Sequence, residues 1–174
     1  MTVDPHLHRI AALEEVYTIP TRVLHAAPLL AEWIGANVRS PLVVGPDEES
    51  AQWVREVAEG AAAPFTVMRK ERLGDRQVRI EAPDLTAYAG RTPVLVDDMA
   101  SSGRTLVECA ARLRDAGFDP RCCVVVHALA GPEVRAELAR AGLTLISTES
   151  VPHPSNAIPI APLLARGLRA LLED

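Results

Sequence analysis

Five short apolar runs punctuate this chain, at 42–44, 65–68, 92–96, 122–128 and 143–147. Each is long enough for a strand and too short for a helix, and nearly continuous apolar character marks strands covered on both faces. The cover has to come from the stretches between them. Helical periodicity is read at 28–38, where Leu29, Leu30, Trp33 and Ile34 form one stripe, and at 48–62, where Trp53, Val54 and Val57 face inward. Further helices are expected at 105–116, stopped by Gly117, at 132–140 and at 160–172. Residues 69–76 read as a charged loop, with a strand returning over 77–81. Strands alternating with helices predict an α/β fold, a parallel sheet flanked by helices on both faces. Such sheets bind ligands beyond the carboxyl ends of their strands. The polar clusters after Val44, Met68, Val96, Ala128 and Ser147 are therefore expected to face one crevice.

Bulk properties narrow the function. A chain of 174 residues builds one good core. Its net charge of −5 provides no basic footprint, so nucleic acid is not an expected partner. No apolar run approaches membrane-spanning length, and the first nine residues lack the pattern of a signal peptide. The three cysteines, Cys109, Cys122 and Cys123, are few and odd in number. They read as reduced core residues of a cytoplasmic protein.

The chemistry concentrates at 94–105. The apolar Val94-Leu95-Val96 is followed by two carboxylates, Asp97 and Asp98, and then by Ser101, Ser102, Gly103, Arg104 and Thr105 at the start of a helix. Free N–H groups and the dipole of a helix N-terminus favour an anion, hydroxyls add donors, and a glycine permits close approach. Paired carboxylates accept hydrogen bonds from vicinal sugar hydroxyls, directly or through Mg²⁺. Together they suggest a sugar-phosphate site. The plainer alternative is an ordinary strand-to-helix turn, with Thr105 and Glu108 as a capping box. Neither a Walker loop nor a dinucleotide fingerprint is present.

Residues 94–105 resemble the 5-phosphoribosyl-1-pyrophosphate (PRPP) signature of type I phosphoribosyltransferases and of ribose-phosphate diphosphokinases. Other segments resemble the diphosphokinases: Thr2-Val3-Asp4-Pro5-His6, Val16-Tyr17-Thr18-Ile19-Pro20, Val43-Val44-Gly45-Pro46-Asp47 and Lys70-Glu71-Arg72. The chain is similar to the C-terminal half of that family plus a short piece of its N-terminal half. Residues 1–26 then read as the remnant of a preceding domain and linker, and 27–174 as a phosphoribosyltransferase-like, Rossmann-like domain. The resemblance implies transfer of the β,γ-diphosphoryl group of ATP to ribose 5-phosphate, giving PRPP and AMP, in a homo-oligomer. It implies Mg²⁺ held by His6 and Asp47, Lys70 and Arg72 as catalytic cations, and Asp97, Asp98 and Ser101–Thr105 around ribose 5-phosphate. Two departures stand out: Glu48-Glu49 where the family has glycines, and Ser101 where diphosphokinases commonly have Asp. Because much of the family's ATP pocket lies in segments outside this chain, binding with poor turnover is expected. The rival readings are a PRPP-consuming phosphoribosyltransferase and a non-catalytic phosphosugar-binding or regulatory module. His127 and the 153–156 segment are expected to be hydrogen-bonded loop structure with no chemical role.

Overall fold

A computed structural model of the protein describes residues 1–7, 12–72 and 78–173, with the side chains of 70–72, 78 and 79 outside that description. Its centre is a six-stranded, wholly parallel sheet. In chain order the strands are β3 (Pro41–Gly45), β4 (Phe65–Val67), β7 (Thr92–Ala100), β8 (Cys122–Ala128), β9 (Thr144–Thr148) and β10 (Asn156–Ile158), arranged as β10-β9-β8-β7-β3-β4. Two small sheets accompany it. β1 (Thr2–Val3) pairs in parallel with β2 (Val23–Leu24), and β5 (Arg69–Arg72) pairs antiparallel with β6 (Val78–Glu81). Five helices complete the fold: α1 (Ala27–Asn37), α2 (Ala51–Gly60), α3 (Arg104–Asp115), α4 (Pro132–Arg140) and α5 (Ala161–Glu173).

Pleating divides the core into two. Val94, Val96, Val124 and Val126 pack with Leu30 and Ile34 of α1 and Val54 and Val57 of α2. Leu95, Cys123 and Val125 pack on the opposite side with Leu106 and Leu113 of α3 and Leu138 of α4. A strand buried on both faces needs apolar residues at successive positions, and that is the pattern of the short runs. The expected α/β architecture is the observed one. Among the described residues no helix is long and apolar enough to cross a membrane. None of the three cysteines is in a disulfide, and burial pushes Cys122 and Cys123 up to about 11 and about 12, which keeps both protonated.

Three local expectations are corrected. β7 continues through Asp97 and Asp98 to Ala100, because Met99 and Ala100 still pair with His127 and Ala128 of β8. α2 starts at Ala51 rather than at 48, because Ser50 N–H donates to Asp47 Oδ1 at 3.1 Å and Ser50 Oγ donates to Asp47 O at 2.7 Å, folding 47–50 into a turn. The charged segment after Met68 opens as strand β5 rather than as a loop.

The chain runs from β3 to β4 on one side and then returns to place β7 on the other side of β3. The order reverses between β3 and β7, and ligands of open parallel sheets lie in the crevice at that reversal. Asp47 follows β3, and Asp97 and Asp98 lie in the C-terminal half of β7.

Candidate functional site

The crevice is a cleft of about 610 Å³ at this reversal. Six acidic residues, Asp4, Glu14, Asp47, Glu49, Asp97 and Asp98, line it with His6 and His25, and its described lining contains no Lys or Arg. Asp97 and Asp98, adjacent on β7, both line this cleft, and their carboxyl groups interact directly.

Asp98 meets His6 there. His6 Nδ1 lies 2.5 Å from Asp98 Oδ2, across 92 residues of sequence. That hydrogen bond and the charge of Asp98, with a smaller contribution from Asp97, hold the His6 imidazole above its usual pKa. Asp97 is half-buried. Desolvation, then the neighbouring charge of Asp98, with a smaller contribution from Asp47, push its carboxyl up to about 7. Its Oδ1 accepts the Asp98 N–H at 3.0 Å, a bond that only partly offsets the shift. Burial beside a like charge in a cleft is a common feature of functional sites.

Beyond the carboxylates the chain turns into α3. Gly103 is its N-cap, with φ +68°, and an added Cβ would lie 2.8 Å from Val134 Cγ1. Both conformation and packing therefore require glycine there. The first helical bond runs from Val107 N–H to Gly103 O, and Gly103 provides no side-chain cap. The amides of the first turn are left to a ligand or solvent. The alternative capping-box role of Glu108 is not what the structure shows. Its Oε1 accepts the Ile80 N–H of β6 at 3.3 Å and lies 4.0 Å from Arg112 Nη2.

With this geometry in view, comparison with known proteins is informative. A model of the phosphoribosyl transferase domain matches residues 12–158. The chain belongs to the phosphoribosyl transferase domain family. A ribose-phosphate pyrophosphokinase from Methanopyrus kandleri is 33% identical over 98% of this chain and 58% of its own length. The chain thus spans little more than half of that relative. Phosphoribosylpyrophosphate synthetase from Mycobacterium smegmatis shares the fold at TM-score 0.74, with 24% identity over 98% of this chain and 57% of that one. Orotate phosphoribosyltransferase from Aeropyrum pernix shares it at TM-score 0.55, with 23% identity over 83% of this chain and 75% of that one.

His6, which precedes the matched residues 12–158, lines the cleft together with Asp47, Asp97 and Asp98. Ser101, Ser102 and Arg104 are exposed and Thr105 is half-buried, and none of Ser101–Thr105 belongs to the cleft's lining. They lie between the end of β7 and the first turn of α3. Lys70 and Arg72 lie on β5, in register with Ile80 and Val78, and their side chains lie outside the described residues, as do residues 73–77 of the charged segment. Asp47 also serves the turn before α2, so the turn reading and the cleft reading hold together at this residue.

The Mg²⁺ that the resemblance implies suits this donor set. Among the described residues no group of three or more His, Cys, Asp or Glu side chains could hold a metal ion alone. Mg²⁺ commonly takes one or two carboxylates and completes its shell with water and substrate phosphates. An imidazole bonded to a carboxylate, as His6 is to Asp98, is also the arrangement metal-binding histidines use.

Sequence reasoning passed over Glu14, His25 and Trp53. Trp53 was expected in the core. It instead walls the cleft while packing on the α1-side core, and among the described residues its indole N–H has no acceptor. The helical stripe marked it as inward, and nothing in the stripe distinguishes a cleft wall from a core position.

Proposed function

We propose that this chain supplies the ribose 5-phosphate site and transfer machinery of a ribose-phosphate diphosphokinase. The observation that carries the reading is the convergence of His6, Asp47, Asp97 and Asp98 on one cleft beside the open N-terminus of α3. Relatives named ribose-phosphate pyrophosphokinase support it. Residues 1–26 bring His6 to the site, and 27–174 contribute the remainder.

In this mechanism the 5-phosphate rests on the amides of α3, the hydroxyls of Ser101, Ser102 and Thr105, and the Arg104 guanidinium. Asp97 and Asp98 accept hydrogen bonds from the ribose hydroxyls, which orients the anomeric hydroxyl. That oxygen attacks the β-phosphorus of ATP, the bond from that phosphorus to the α-phosphate bridging oxygen breaks, AMP leaves, and the proton of the attacking hydroxyl passes to solvent. Phosphoryl transfer is largely positioning and charge stabilisation, which Lys70 and Arg72 provide from the β5–β6 hairpin. Mg²⁺, when bound by His6 and Asp47, supplies the positive charge that a cleft lined by six acidic residues lacks. A homo-oligomer in the cytoplasm completes the reading.

Glu49 on the cleft wall favours a second outcome, binding with slow turnover, because it repels an approaching diphosphate. Calorimetry with ribose 5-phosphate and PRPP, each with Mg²⁺, tests the site. Binding of either ligand is expected, with AMP release from ATP and ribose 5-phosphate slow or undetectable in a coupled assay. If neither ligand binds, the reading is wrong. Base-dependent pyrophosphate release from PRPP would replace it with a phosphoribosyltransferase.

A further inference from the structure

His6 reaches Asp98 from an exposed turn just after the two-residue strand β1. Its placement depends on what holds Asp4. Asp4 has φ +33°, a left-handed conformation that L side chains rarely adopt. Such a residue persists where its surroundings over-determine it. Four contacts do so. The Asp4 N–H donates to Leu24 O at 3.0 Å, Asp4 Oδ2 accepts the Ala26 N–H at 2.7 Å, and Asp4 Oδ1 lies 2.9 Å from His25 Nδ1. The fourth comes from the main sheet: His127 Nε2, at the end of β8, lies 3.0 Å from the Asp4 carbonyl oxygen, 123 residues away in sequence.

His127 Nε2 donates to that carbonyl, since a carbonyl oxygen only accepts. Its Nδ1 lies 2.8 Å from Ser150 Oγ. Thr148 Oγ1, at 2.8 Å, and Ser150 Oγ, at 2.9 Å, both donate to Val126 O, whose two lone pairs accept both. Ser150 thus ties the imidazole to the backbone of β8. Pro5 then follows Asp4 with its own φ locked by the ring, which narrows the paths the chain can take from Asp4 to His6.

We propose that His127, buttressed by Ser150, is a positioning residue: it pins the Asp4 carbonyl to the end of β8 and thereby delivers His6 to Asp98. The consequence for ligand binding rests on the function proposed above. The latch itself does not.

Amide hydrogen exchange on the ligand-free chain reads the latch, and calorimetry with ribose 5-phosphate, with and without Mg²⁺, reads its consequence. His127→Ala is expected to speed exchange at the Asp4 and Ala26 amides at least tenfold while Val124, inside β8, is unchanged. It is expected to remove most of the Mg²⁺-dependent gain in ribose 5-phosphate affinity and to leave metal-free affinity within about twofold. His127→Gln, whose amide N–H donates in place of Nε2–H, restores both. Should His127→Ala fail to fold, Ser150→Ala is expected to give the same pattern at smaller amplitude. Unchanged exchange at Ala26, or an equal loss of metal-free and metal-dependent binding, overturns the proposal. A wild-type chain that binds no ribose 5-phosphate refutes the proposed function instead, and the exchange result then decides the latch alone.

Discussion

Asp97→Asn is expected to stabilise the ligand-free protein while weakening its binding of ribose 5-phosphate. Burial and the charges of Asp98 and Asp47 push the Asp97 carboxyl up to about 7, against about 4 for the same group in an unfolded chain. Between those values the folded state binds more protons than the unfolded one, so stability falls as pH rises. Above pH 7 the full difference, about 4 kcal/mol, opposes folding. Asn removes the charge and keeps an amide oxygen to accept the Asp98 N–H now bonded to Asp97 Oδ1 at 3.0 Å. A gain of roughly 2–4 kcal/mol at pH 8 follows, allowing for the side chain's residual contact with solvent. For a chain of this size that is roughly 5–15 °C in Tm. The gain should shrink steadily below pH 7 and vanish near pH 4. His6 acts in the same direction on the wild-type slope. Its raised pKa contributes stability that is complete below the unfolded value and lost as pH rises through the folded one. Wild-type Tm should therefore fall from pH 4 to pH 8, and the variant should lose the larger part of that slope. Thermal unfolding by circular dichroism across this range measures both. A variant no more stable than wild type at pH 8, or equally stabilised at pH 4 and pH 8, refutes the account of Asp97.

Two further predictions concern the elements that frame the cleft. Gly103→Ala combines a positive φ with a Cβ 2.8 Å from Val134 Cγ1, and should cost about 2–4 kcal/mol in urea unfolding and weaken ribose 5-phosphate binding even without metal. Glu108→Ala removes the acceptor of the Ile80 N–H and should speed amide exchange at Ile80 about tenfold, the signature of a loosened β5–β6 hairpin, with exchange in β8 unchanged.

The layered fold was legible because it rests on local pattern. Val94-Leu95-Val96 and Cys123–Val126 are apolar at successive positions, which only a sheet covered on both sides satisfies. The hydroxyl-rich turn before α3 was legible for the same reason, since Gly103 and the hydroxyls around it lie within a few residues of one another. The ends of elements were harder to read. Whether β7 stops at Val96 or runs to Ala100 depends on pairing with His127 and Ala128, which lie nearly thirty residues away.

The sequence by itself determined an α/β sheet, its flanking helices and a hydroxyl-rich turn after paired carboxylates, because each follows from neighbours along the chain. Tertiary structure decided which of the acidic and histidine residues meet. His6 finds Asp98 across 92 residues and His127 finds Asp4 across 123, through strand order and register that no local spacing encodes. It also decided the protonation of Asp97. A carboxylate in the sequence is charged by default, and only burial beside Asp98 and Asp47 raises its pKa to about 7.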